Sequence, residues 1–506
     1  MKSRSYSRCI VRFTAAAGIA LVLGAHPGIA QKKSAPAPSH PAPAKSAPAS
    51  HSSASANHGG GTSSASHPAN TAPHANGNTT IRTASGGTMH VRPGETVRPG
   101  LHGETRVMDP SGHIRHMDSP TMRADFGRNG HVNAFHVKNG AVSQSMYRGP
   151  GGVRIVEGFH PSPMGGGGVR VVSYGARRGF VERPIYGRDG YMRRSYLAGG
   201  RRYAVVYRGY RYHGAYFYRP VPAIVYAPGF YGWAVQPWGQ PVAIPVGFVG
   251  QPWYGAYGTA FVPYQTYASP DQWMTDQMLA QNMQQAYDDG AAAAQVAPGA
   301  GQAAYEAPPA APPTISPELK TMIDQQVKTD VAEMAQAAAA GPGALAPPVM
   351  PNSPEEVPEA LRPGHTLFRV GMTITAAGDD DSCTLNSNDW VVRMGDIQND
   401  GTVAVRVATS RPSECSKGSV VNIALNDLSS MQNDQDEQMM ALVTMLSTQT
   451  GKAGMPTGPA DGNGGIPVPG GQTSADVQVA DLLNKEQIDA NGNEAAVTAT
   501  AAGGGS

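Results

Sequence analysis

Five glycine-bearing turn signals, a loose repeat with no fixed period, constrain this chain more than any other feature. Between Ile81 and Arg219 they read RNG at Arg128–Gly130, KNG at Lys138–Gly140, GPGG at Gly149–Gly152, RDG at Arg188–Gly190 and AGG at Ala198–Gly200. Asn-Gly and Asp-Gly tolerate the positive φ angles that a tight hairpin needs. Short β-prone runs such as GHVNAFHV, GVRVVSYG and RRYAVVYRGYRY lie between them. A spacing of about ten residues predicts a β-meander over 81–219. Its apolar positions are few, so such a sheet would be marginal by itself.

The next segment, 220–268, carries no Asp, Glu, Lys or Arg. Prolines at 220, 222, 228, 237, 241, 245 and 252 break any continuous helix, and open non-helical backbone cannot face lipid, so the segment is no membrane span. Extended, polyproline-like or edge-strand structure is expected. Two uses of its rings stand side by side. They pack on the meander and supply the core it lacks. Alternatively, Tyr231, Trp233, Trp238, Trp253 and Tyr254 stack on sugar rings of a cell-wall polymer, with Arg177, Arg178, Arg193, Arg194, Arg201 and Arg202 adding contacts to anions.

Two helices are expected at 269–290 and 314–340. SPDQWMTDQMLAQNMQQAY opens with Ser269 as N-cap and Pro270 at the first helical position, and SPELKTMIDQQVKTDV repeats this at Ser316 and Pro317. Met274, Met278, Leu279 and Met283 form one apolar face, and Leu319, Ile323, Val327 and Val331 another. Ala/Pro linkers at 291–313 and 341–360 separate the pieces. From 361 to 449, four or five short strands suggest a small SH3-like β-barrel closed by a C-terminal amphipathic helix. A Gly/Pro-rich tail, 450–506, is expected to be disordered apart from a short helix near Val479–Ile488. The fold class is therefore mixed and largely low in complexity: a β-meander, two or three isolated helices and a small barrel.

The first thirty residues combine Lys2, Arg4, Arg8 and Arg12 with an apolar run from Phe13 to Ala25. This run is short for a bilayer span and reads as a signal peptide, 1–30, cleaved after Ala30. Export to the periplasm, the envelope or the exterior follows, with no transmembrane span left afterwards. Residues 31–80, rich in Ala, Pro, Ser and His, form a disordered tether whose five histidines read as spacer. In an oxidising compartment the two remaining cysteines, Cys383 and Cys415, are expected to form a disulfide between two loops of the barrel.

Charge is divided along the chain. Residues 82–219 hold 22 Lys and Arg against 8 Asp and Glu, whereas 271–446 hold 8 against 23. The halves attract each other, within one chain or between chains. No paired catalytic motif, P-loop, dinucleotide fingerprint or nucleic-acid-binding pattern is present. His113, His116, His131 and His136 read as surface histidines, GDDDSC (Asp379–Asp381) as a solvated turn, and DANGNE as a failed calcium loop with Glu494 where Gly is required. No cofactor, metal or nucleic-acid partner is expected.

FYGWAVQPWGQP, SPDQWMTDQMLAQNMQQAY, SPELKTMIDQQVKTDV and KGSVVNIALNDLSSMQND resemble, in this order, segments of a group of uncharacterised exported proteins of soil bacteria. The resemblance implies one architecture over about 81–446 and no activity. The expectation is an exported, non-enzymatic envelope protein of structural or assembly type. The alternatives are a module binding cell-wall polysaccharide or polyanions, and an envelope hydrolase.

Overall fold

The computed structural model describes residues 79–503, apart from 84–87, 101–102, 149–153, 162–167, 175–177, 199, 297–311, 348, 350–352, 378–381, 412–413 and 461–463. The leader, the histidine tether up to 78, Arg177 and Asp379–Asp381 therefore lie outside the described residues.

The turn signals do set a meander. A small hairpin, β1 (Thr79–Arg82) and β2 (Thr88–Val91), precedes it. Twelve antiparallel strands then pair in sequence order. The first six are β3 (Thr96–Pro99), β4 (Thr105–Met108), β5 (Ile114–Ser119), β6 (Met122–Phe126), β7 (Val132–Asn139) and β8 (Val142–Arg148). The rest are β9 (Arg154–Pro161), β10 (Gly168–Ser173), β11 (Gly179–Pro184), β12 (Tyr191–Ala198), β13 (Arg201–Tyr212) and β14 (Ala215–Val221). Gly130, Gly140, Gly190 and Gly200 all take positive φ at the tips, the conformation for which glycine has no steric cost.

Two short helices stand in the uncharged segment, where extended backbone throughout was expected. After β15 (Ile224–Val225), Pro228 and Pro252 each sit at a first helical position and open α1 (Pro228–Ala234) and α2 (Pro252–Tyr257). Proline is suited to that position, since the N–H it lacks has no intrahelical partner there. α3 (Pro270–Val296) and α4 (Pro317–Ala339) follow, with the Ser316 hydroxyl accepting from Leu319 N at 3.2 Å. These helices are not isolated. Phe230, Trp253, Met274, Leu279, Ile323 and Val327 share one core with Tyr191 and Val206 of the meander.

Strands β16 (Leu367–Arg369), β17 (Ile374–Ala377), β18 (Ser382–Leu385), β19 (Trp390–Ile397), β20 (Thr402–Val407) and β21 (Val420–Ala424) form a second sheet in the order β16-β19-β20-β21-β17-β18. It does not close into the expected SH3-like barrel. β16 has three residues, β17 meets β21 at the single pair Ala377–Asn422, and no described pairing joins the two edges. Closure needs continuous pairing around the ring. From the end of β21 rises α5 (Leu425–Gln449), which packs on α3, α4, β14 and β16 and so bridges both sheets.

Cys383 and Cys415 stand bonded, 32 residues apart. Cys383 lies on edge strand β18 and not in a loop, while Cys415 precedes β21. Replacing Cys415 by Ala is expected to lower the unfolding free energy by ~3 kcal/mol on the chain-entropy model. Denaturant titration of oxidised, reduced and variant protein checks this; equal midpoints for all three would refute it.

The tail, expected to be disordered, is built into the fold. β22 (Ile466–Pro467) pairs with β15, and α6 (Val479–Ala502) lies across the meander on the face away from α3 and α5. Val479 and Leu483 pack on Val171 and Val181, and Ala490 and Val497 share a cluster with Met117, Phe135 and Val156. DANGNE lies inside this helix, where Glu494 pairs with Arg148 (2.6 Å) and Arg154 (3.2 Å).

Candidate functional site

Alternation along a strand divides the arginine pairs between the two faces of the sheet. Arg193 Nη1 donates to the Ser474 carbonyl (3.4 Å) and Arg202 Nη1 to that of Val477 (2.9 Å), both on the side of α6. Arg194 and Arg201 face the other way, toward α3 and α5, where Arg178 joins them. The five described arginines thus do not make one surface, and Arg177 lies outside the described residues.

The aromatic segment is not a surface either. Tyr231 and Trp253 are buried, and Trp233, Trp238 and Tyr254 are half-buried against the same core. Tyr231 Oη accepts from Tyr226 N at 3.2 Å, and Trp233 stacks on Phe230 with ring centroids 5.7 Å apart. These rings pack in this core, and Trp253 also lines the cleft described next. The meander presents too few apolar side chains to bury α1 to α5 otherwise.

Between β10–β13 and helices α3 and α5 lies a cavity of about 1750 Å³. Its floor is an aromatic ladder across three neighbouring strands. Phe180, Tyr196 and Tyr203 are successive cross-strand partners. Phe180 meets Tyr196 edge-on at 5.6 Å, and Tyr196 stacks on Tyr203 at 4.8 Å and 18°. Tyr203 is 47% exposed and ends the ladder. Opposite, α3 turns Gln277, Gln281, Gln284 and Asp288 to the cavity. Spacings of four, three and four keep them on one helical face, opposite to the buried Leu279 and Met283. α5 contributes Asp434, Glu437 and Gln438, and the second sheet contributes Arg369.

Charge beneath the ladder is paired. Arg194 is sandwiched between the rings of Phe180 and Tyr207, 4.5 Å from each centroid. Its Nε donates to Glu182 Oε1 (2.7 Å) and its Nη1 to Tyr196 Oη (3.0 Å). The same Nη1 lies 3.8 Å from Asp434 Oδ1 and 3.6 Å from Glu437 Oε1. Tyr196 in turn donates to Glu437 Oε1 at 2.8 Å. Burial pushes Glu437 up to about 7 against the pull of Arg194 and Tyr196, so near neutral pH it exists in both protonation states. Burial raises Asp434 and lowers Arg178 and Arg369, each against opposing neighbours. Tyr203 is pushed by burial to about 12 and stays a neutral hydroxyl.

The attraction between the basic and acidic halves is thus met within the chain. Arg194 reaches α5, and Arg208 and Arg219 reach Glu356. His116 faces Asp125 across a strand pair at 2.6 Å, an acidic partner that sequence spacing does not reveal. No described helix is long and apolar enough to cross a membrane.

The glutamine row and the Asp434–Glu437 pair were not singled out from sequence. The signal was present: Gln277, Gln281 and Gln284 recur at helical spacing on the face opposite Leu279 and Met283. Polar helical faces are usually solvated, so nothing local marks this one as lining a cavity. No known protein family, curated protein or solved structure matches the chain.

Proposed function

We propose that the protein is an exported, non-enzymatic component of the cell envelope that binds a glycan chain in the cleft beneath α3 and α5. The observation that carries this reading is the Phe180–Tyr196–Tyr203 ladder facing a row of glutamines across a cavity of about 1750 Å³. That volume exceeds what a small-molecule pocket needs, about 300–1,000 Å³. Aromatic faces stack on the apolar faces of sugar rings, and side-chain amides supply both donors and acceptors to hydroxyls. Arg178, Arg201 and Arg369 suit carboxylates or acetamido groups on the same chain. The leader-like first thirty residues support export, and the Ala/Pro tether supports a role at a distance from its attachment.

The test is co-sedimentation of residues 31–506 with purified cell-wall polysaccharide, at low and high salt. Retention at both salts is expected, with Tyr203→Ala weakening it about tenfold, or ~1.4 kcal/mol, and Trp238→Ala leaving it unchanged. Retention lost at high salt would replace the sugar site by a polyanion site, because only counterion release is strongly salt-dependent. No retention at either salt would sink the reading. Soluble fragments in the supernatant would make the cleft a hydrolase site, with Asp434 and Glu437 as its carboxylates.

A further inference from the structure

On the far side of α5 from the cleft, four carboxylates line a second cavity of about 230 Å³. Asp330 and Glu333 stand three residues apart on one face of α4, Glu359 lies in the single turn Glu359–Leu361, and Asp436 comes from α5. His365, in the loop entering β16, is 1% exposed and points Nε2 at Glu333 Oε1, 2.8 Å away. One ligand atom from each of Glu333, Glu359 and His365 lies within 4.8 Å of the other two. Helix α4 and the segment 359–365 thus bring one nitrogen and two carboxylate oxygens to a common point.

Asp330 gives an independent sign. It is 5% exposed, lines the same cavity, and its Oδ2 has no hydrogen-bond partner. Its Oδ1 accepts from Gln326 Nε2 (2.8 Å) and lies 3.7 Å from His365 Nδ1. Gln326 Nε2, 3.4 Å from the same Nδ1, and Asp330 behind it position the ring and leave Nε2 toward the two glutamates. Arg362 lies 3.5 Å from Glu333 and 3.9 Å from Glu359, and His365 pairs with Glu333 from the other side. The four carboxylates, Asp330 buried and the others half-buried, outnumber Arg219, Arg362 and His365 around the cavity, which favours a further positive charge there.

We propose that Glu333, Glu359 and His365 bind one first-row divalent metal ion, with Gln326 and Asp330 positioning the imidazole from behind and the cavity leaving room for water ligands. One imidazole with two carboxylates suits Zn²⁺ or Mn²⁺ better than Ca²⁺ or Mg²⁺, which take all-oxygen sets. The bound ion ties α4 to the segment entering β16. This inference is independent of the glycan reading, since the cavity and its residues are different.

The test is titration of chelator-treated full-length chain with Zn²⁺ by calorimetry and with Mn²⁺ by electron paramagnetic resonance. Saturable binding of one ion per chain is expected, with a rise in melting temperature. Glu333→Gln and Glu359→Gln keep side-chain shape, and each should weaken binding about tenfold or more. Both variants retain the five tether histidines, so binding unchanged in them would place the metal on the tether and overturn the proposal. Absence of stoichiometric binding of either ion would overturn it, as would binding of Ca²⁺ in preference to both.

Discussion

Arg194→Ala is expected to lower the unfolding free energy by about 3–5 kcal/mol, the usual result of removing one partner of a buried ionic cluster. Arg194 is 6% exposed, and four groups depend on it: Glu182, Tyr196, Asp434 and Glu437. Truncation leaves Glu182 with Arg170 at 3.3 Å and takes the nearest cation from both α5 carboxylates. It also empties the slot between the rings of Phe180 and Tyr207. Lysine at 194 should recover only part of the loss, because an ammonium neither stacks as a plane nor forks to two acceptors. The defect should depend on pH. Arg194 pulls Glu437 down while burial pushes it up, so its removal raises Glu437 further. A carboxyl raised in the folded state stabilises fully below its unfolded value and loses that contribution as pH rises through the folded one. The variant's deficit should therefore be smaller at pH 5 than at pH 8. Denaturant midpoints at the two pH values decide it. A loss under 1 kcal/mol at both would mean that the cluster is solvated and the cleft open beneath the ladder.

What was legible in the chain was local. The Asn-Gly and Asp-Gly turns carry their own backbone geometry, so the meander could be read residue by residue. The same is true of Ser316 and Pro317 at the start of α4. The partners of these elements were not legible. Pro228 and Pro252 look like strand breakers until the short helices they open are seen to bury Phe230 and Trp253. An adjacent arginine pair reads as one basic patch, yet Arg193 and Arg194 serve opposite faces because the pleat alternates. The proposed metal ligands, Glu333, Glu359 and His365, come from a helix and from the segment entering β16, and no spacing rule links the two.

The C-terminal helix shows how much a weak local signal conceals, and it carries the second large effect. Leu483→Asp is expected to cost at least ~3 kcal/mol, since it removes a buried leucine and places a charge against Val171 and Val181. The sheet is shaped for this helix. Gly179 has φ +151°, and a Cβ there would lie 2.6 Å from Leu483 Cδ2. Gly158 leaves room for the Glu486 carboxylate, which also meets Gln144 and His160 Nε2, the latter at 2.8 Å. Yet VADLLNKEQIDANGNEAAVTATAA is a poor helix by propensity, with Gly492, two asparagines beside it and two threonines. Its helicity must come from docking, as is usual for short amphipathic segments. Ile488, on the same helix, is 58% exposed, so Ile488→Asp is the matched control and should change stability by under ~0.5 kcal/mol. Hydrogen exchange separates the outcomes. In Leu483→Asp the amides of 479–502 should lose protection together with those of β10 and β11. In Ile488→Asp they should keep it. If neither variant differs from the parent and 479–502 exchanges freely in all three, the helix does not cover the sheet. The apolar side chains of the meander, Met117, Phe135, Val156, Val171 and Val181, would then need another partner to exclude water.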